Sequence, residues 1–128
     1  MFVKISHITL FVQDQEKALD FYKKVGFTVH TDAPFGEMRW LTLTLPGQKD
    51  LELVLMKAET AQEKALVGKQ GGDKPFISFE SNDAQKDYEN LKKLGVTDLE
   101  KPEAQPWGIS FGFKDLEGNA IYVCQPNK

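Results

Sequence analysis

Hydrophobic and polar residues alternate over residues 3–12 and again over residues 75–81, the period-2 pattern of a half-buried strand. Behind each stretch the period lengthens to that of a helix. Ala18, Leu19, Phe21, Tyr22 and Val25 form one apolar stripe, and Ala84, Tyr88, Leu91 and Leu94 form another. Asp14 and Asp83 stand where an N-cap carboxylate satisfies free backbone N–H groups, so the pattern predicts helices over 15–25 and 84–94. Gly26 and Gly95 stand where each helix stops with a residue of positive φ. Three more strands are predicted after each helix: 28–31, 38–45 and 51–56, then 97–100, 109–114 and 120–125. Turn residues over 46–50 and 115–119 join the last two strands of each set.

The two halves are copies. Sliding residues 7–28 over 76–97 without a gap pairs identical residues at Ile8/Ile77, Asp14/Asp83, Lys17/Lys86, Lys23/Lys92, Lys24/Lys93, Gly26/Gly95 and Thr28/Thr97. Composition alone gives roughly one or two such matches. The fold class read from this is α+β: two tandem βαβββ modules, residues 1–57 and 75–128, in one domain spanning 1–128. Residues 58–74, charged and glycine-bearing, read as a linker with a short helix around 60–66. A βαβββ module covers only one sheet face with its helix, and two such sheets curling together make a cup suited to a small molecule.

Composition narrows the partners. With 41% hydrophobic and 27% charged residues, 128 residues can bury a core without a structural metal. Sixteen Lys and Arg against nineteen Asp and Glu leave a net charge of −3 with no basic run, which argues against nucleic acid. No apolar stretch approaches the length of a membrane span, and the N-terminus lacks an export signal, so the expectation is a cytoplasmic protein without membrane partners. Cys124 is the only cysteine and makes no internal disulfide. Gly68-Lys69-Gln70-Gly71-Gly72 lacks the spacing of a phosphate-binding loop.

Taken in order, His7-Ile8-Thr9-Leu10-Phe11-Val12-Gln13-Asp14, Ala18-Leu19-Asp20-Phe21-Tyr22, Gly26-Phe27, Leu51-Glu52-Leu53, Pro106-Trp107-Gly108 and Asp115-Leu116-Glu117-Gly118-Asn119 carry a resemblance. With the duplication, they make the chain similar to the vicinal oxygen chelate superfamily, which includes glyoxalase I, bleomycin-resistance proteins, fosfomycin-resistance enzymes and extradiol dioxygenases. The resemblance implies a homodimer. It also implies, for many members, a metal cup with one ligand on the first and one on the last strand of each module. His7 and Glu52 match those positions, but Phe76 and Tyr122 stand at the third and fourth. A catalytic divalent cation needs about three protein ligands, and a phenyl ring offers none. A third donor would have to come from Cys124 or His30. The expectation is therefore no cofactor and no catalytic metal.

Strand alternation sets His7 on the face opposite Ile8, Leu10 and Val12, which suit packing under the helix. Glu52 shares a face with Val54 and Met56, where a carboxylate needs a partner, either His7 or a cationic ligand. Trp107, between Pro106 and Gly108, sits on a loop able to close over a ligand or cap the core. His7, Glu52, Phe76, Trp107 and Tyr122 are the expected ligand-binding residues, with Glu52 and His7 as the catalytic pair if chemistry occurs. The favoured function is a metal-independent binder of a small aromatic molecule, a cationic one preferred, like the bleomycin-resistance branch. Two alternatives stay open. One is a lyase, isomerase or dioxygenase with an altered metal shell or with Glu52 as general base. The other is a non-catalytic scaffold with a closed cup.

Overall fold

A computed structural model describes all residues, Met1–Lys128. The chain forms two compact units, Met1–Val67 and Gly68–Lys128. In the first, β1 (His7–Val12), α1 (Gln15–Lys24), β2 (Thr28–Phe35), β3 (Met38–Leu45) and β4 (Gln48–Lys57) are followed by the short α2 (Ala61–Leu66). The second holds β5 (Ile77–Glu80), α3 (Ala84–Leu94), β6 (Glu103–Gln105), β7 (Gly108–Lys114) and β8 (Ala120–Pro126). Each unit is a βαβββ module with a mixed four-stranded sheet, ordered β1-β4-β3-β2 in one and β5-β8-β7-β6 in the other. In both, the first strand runs parallel to the last and the other neighbours are antiparallel.

The helices start and stop as their end residues dictate. Asp14 accepts from the Lys17 N–H and Asp83 from the Lys86 N–H, each at 3.1 Å. Such a cap contributes roughly 1 kcal/mol. Gly95 ends α3 with a left-handed φ of 72°. Under α1 the first core consists of Leu10, Val12, Leu41, Leu43, Leu53 and Leu55 from one sheet face, with Ala18 and Tyr22 from the helix. Tyr22 meets the rings of Phe21 and Phe27 edge-on, at 5.1 and 5.5 Å. Truncating a fully buried leucine such as Leu55 to alanine costs about 2 to 5 kcal/mol. The second core is more aromatic: Phe111, stacked on Phe113 and edge-on to Tyr88 of α3, lies with Ile121 and Val123.

Several elements differ from their expected bounds. The first strand begins at His7 rather than residue 3, because pairing with β4 starts where the Glu52 N–H reaches Ser6 O at 2.9 Å. Ahead of that bond, Met1, Phe2 and Val3 are fully solvent-exposed. Ile8, expected under the helix with Leu10 and Val12, is 41% exposed. The strand expected over 97–100 reduces to a bridge between Thr97 and Lys114, since Asp98 adopts φ 52° and breaks the extended run. β6 forms later, over Glu103–Gln105. The stretch read as a linker is ordered: Thr60 and Glu63 form a reciprocal capping box on α2, and the Gln70 N–H donates to Asn119 Oδ1 at 3.1 Å.

Arg39 ties β3 to its surroundings. Its Nε and Nη2 donate to the two oxygens of Asp32, both at 2.9 Å, and Nη1 lies 2.6 Å from Glu16 on α1. The Gln15 amide donates to the Arg39 and Leu55 carbonyls, at 3.1 and 2.8 Å, which anchors the start of α1 on the sheet. The Arg39 hydrogen bonds hold the Asp32 carboxyl below the ordinary aspartate range, outweighing its slight desolvation. The stabilisation from this pair is complete above the ordinary aspartate pKa of about 3.9 and is lost as pH falls through the lowered folded value. An NMR titration should give Asp32 a midpoint below the ordinary range, returning to it in Arg39→Met; a midpoint unmoved by that substitution would contradict the assignment.

Candidate functional site

In the first unit, the parallel register of β1 and β4 sets His7 opposite Glu52. Residues paired in this way share a sheet face, here the one that α1 leaves free. His7 Nε2 lies 3.2 Å from Glu52 Oε2, so the expected pair is formed. Two further groups reach the same carboxylate. Thr42 of β3, completely buried, donates its hydroxyl to Oε1 at 2.7 Å, and His30 of β2 brings Nδ1 within 3.0 Å of Oε1. Glu52 keeps 16% side-chain exposure, against 40% for His7 and 44% for His30. A carboxylate so shielded is stable because its lost water is replaced by donors.

His30 arrives through an irregularity in the β2–β3 pairing. Val29 faces Leu43 and Thr31 faces Thr42, so His30 is an extra residue between consecutive partners. A bulge of this kind re-aims the side chain it displaces.

The network assigns the histidine tautomers. Both Glu52 oxygens are acceptors, so the nitrogen facing each must carry the hydrogen. His7 is then protonated at Nε2, while its Nδ1 accepts from Ser6 Oγ at 2.8 Å. His30 is protonated at Nδ1, a hydrogen shared with Thr31 Oγ1 at 2.8 Å, and its Nε2 has no partner within the chain. The His7 ring also leans on Trp40, with centroids 5.9 Å apart.

The second unit carries different chemistry. Pro106 and Trp107 form the two-residue turn between β6 and β7, and this turn is pinned. The Asn127 side chain donates to Pro106 O at 2.7 Å and its N–H to Trp107 O at 3.1 Å. Gly108 has φ 153°, and a Cβ there would meet Gln125 O at 2.2 Å, so only glycine lets the end of β8 approach so closely. Trp107, 56% exposed, donates its Nε1–H to the Tyr122 hydroxyl at 2.9 Å. Both rings line a cavity of about 430 Å³, within the usual range for small-molecule sites, whose walls also include Glu100, Lys101, Glu103, Gln105, Ser110 and Phe111. Tyr122 and Cys124 alternate with the buried Ile121 and Val123 and so share a face. Phe76, half-buried just ahead of β5, lies outside the lining of this cavity.

The four-ligand metal site implied by the resemblance does not fit these residues. Of the four positions, only His7 and Glu52 carry groups able to ligate a divalent cation. The Tyr122 hydroxyl is engaged by Trp107. Register adds a second discrepancy: the Phe76 N–H bonds to Ala120 O at 3.1 Å and Ile77 faces Ile121, so Ala120 rather than Tyr122 lies across from Phe76. Neither position supplies a carboxylate. No group of three or more His, Cys, Asp or Glu side chains is arranged to hold a metal ion.

Thr42 and Glu100 escaped the sequence reading, and His30 entered it only as a conditional donor. The alternation of Thr42 and Thr44 with Leu41, Leu43 and Leu45 was the available signal for Thr42. Nothing in the sequence announces the bulge at His30. For Glu100 the signal was indirect, a glycine inside the strand pattern Phe111-Gly112-Phe113, where some group must approach the backbone.

Nitrogen-15 NMR should find neutral His7 as the Nε2–H tautomer and neutral His30 as Nδ1–H. In Glu52→Ala, His30 should move toward Nε2–H, the form favoured by free histidine. A wild-type His30 already in that form would contradict the network.

The profile of the Glyoxalase/Bleomycin resistance protein/Dioxygenase superfamily matches residues 4–123. The Bacillus subtilis (strain 168) protein YurT is 37% identical over 126 residues, covering 96% of this chain and 99% of that protein. Among solved structures, UcmS2 superposes with a TM-score of 0.85 at 30% identity, covering 97% of this chain and 98% of that one. TnmS3, an antibiotic binding protein from Streptomyces sp. CB03234, superposes with a TM-score of 0.82 at 30% identity and 98% coverage of both chains. A match over nearly the whole chain, together with the paired βαβββ units, means that this chain belongs to the Glyoxalase/Bleomycin resistance protein/Dioxygenase superfamily.

Proposed function

We propose that this protein is a metal-independent binder of a small aromatic molecule, with the Trp107–Tyr122 pair as its platform. One observation carries the reading: a half-exposed indole, held by a pinned turn and hydrogen-bonded to a phenol, borders a cavity of about 430 Å³. Aromatic side chains ordered before a ligand arrives lose little entropy on binding, and their faces favour planar partners. The likeness to TnmS3, described as antibiotic binding, supports the same reading. So does the poor fit of the family's metal-ligand positions, which leaves the second unit with aromatic rather than ligating groups there.

A metal-free lyase or isomerase is the second reading, favoured by one feature. A carboxylate that orients an imidazole with an open outer nitrogen, as Glu52 does His30, is the arrangement of a positioned general base. Chemical conversion of a bound compound, abolished in His30→Gln, would move the assignment to that reading.

The test of the binding function uses a soluble planar probe, 2-naphthamide. Calorimetry should show saturable binding that a chelator such as EDTA leaves unchanged, and Trp107→Ala should weaken it about tenfold, the size of one aromatic contact. Binding that vanishes with EDTA, or is indifferent to Trp107→Ala, would overturn the proposal.

A further inference from the structure

We infer that the cavity of the second unit selects a planar aromatic cation and that Glu100 reads the positive charge. This rests on the aromatic-binding reading and adds the ligand's charge to it.

The expected charge reader was Glu52, but its carboxylate is already met by Thr42, His7 and His30. A carboxylate answered by three donors has little left for a cation. Glu100 is the opposite case. Its N–H donates to Gly112 O at 2.9 Å, fixing the backbone against β7, and its side chain then lies over Gly112. Oε1 stands 2.9 Å from the place a Cβ of residue 112 would occupy. Gly112 faces Tyr122 across the β7–β8 ladder, so the missing side chain leaves a notch beside the phenol ring, and the carboxylate fills it.

The Glu100 carboxylate makes no hydrogen bond or ion pair within the chain. It lines the cavity with Glu103, against one cation, Lys101, so the acidic groups there exceed the basic ones by one. An anionic ligand would meet net repulsion. A cationic ring meets the faces of Trp107 and Tyr122, which attract positive charge, and a carboxylate held at the edge of the same floor. Glycine at 112 thus has a functional reading, since any side chain there would displace the charge reader.

Because Glu100 is exposed, the expected discrimination is moderate, about fivefold. The experiment compares 2-naphthamidinium with 2-naphthamide, which share a shape and differ in charge, by calorimetry on the full chain. The cation should bind about fivefold tighter than the amide. Glu100→Gln should remove that preference, bringing the two probes to within about twofold of each other. Gly112→Ala keeps the charge but pushes the flexible carboxylate aside, and should erase the preference to a similar degree. Equal affinities in the wild type, or a preference that survives Glu100→Gln, would overturn the inference and leave aromatic binding standing. Failure of both probes to bind would remove the aromatic-binding reading and this inference together.

Discussion

The parallel pairing of β1 with β4 is the constraint on which the first unit's chemistry depends. It sets His7 opposite Glu52 and leaves the carboxylate largely shielded from water. A charge in that position demands donors, and the surrounding strands supply them: a buried threonine from β3, a histidine from β1 and a second histidine that β2 delivers only by breaking its register. The bulge costs a regular ladder position and returns a donor aimed at the carboxylate. The outcome is a closed polar network. Within it, the Nε2 of His30 has no partner in the chain.

The second unit repeats the topology without the charge. Ala120 stands across from Phe76, and the next residue on the same face is Tyr122, which meets Trp107 instead of a cation. The turn that carries Trp107 is fixed by Asn127 and by the close approach of β8 to Gly108. One module thus presents a carboxylate met by three donors and the other a hydrogen-bonded aromatic pair beside a cavity with free carboxylates. Duplicated backbones have taken on separate chemistries through side chains on the faces their helices leave open.

Much of this was legible in the sequence because it rests on local rules. The aspartate caps, the glycine stops and the period change from strand to helix marked both modules, and α1 and α3 lie where they were expected. Alternation along Leu51 to Met56 marked Glu52 as out of place in an apolar strand and offered His7 or a cationic ligand as its partner, of which the structure forms the His7 contact. The rest depended on pairing between strands distant in sequence. A bulge is a property of two strands and has no single-strand signature, so His30 was named as a donor without a route to Glu52. Asp98, with its positive φ, breaks the strand expected at 97–100, yet only the partner strand shows that pairing resumes at Glu103. The resemblance placed Tyr122 in a ligand position that the ladder itself gives to Ala120.

The Glu52 carboxylate is held by hydrogen bonds from protein donors, and the second unit offers nothing in place of a metal's missing ligands. Elemental analysis after incubation with zinc, nickel, manganese and iron and exhaustive desalting tests it most directly. Far less than one ion of any of these per chain is expected, in the wild type and in His7→Ala alike. Retention of about one ion per chain by the wild type, lost in His7→Ala, would contradict it.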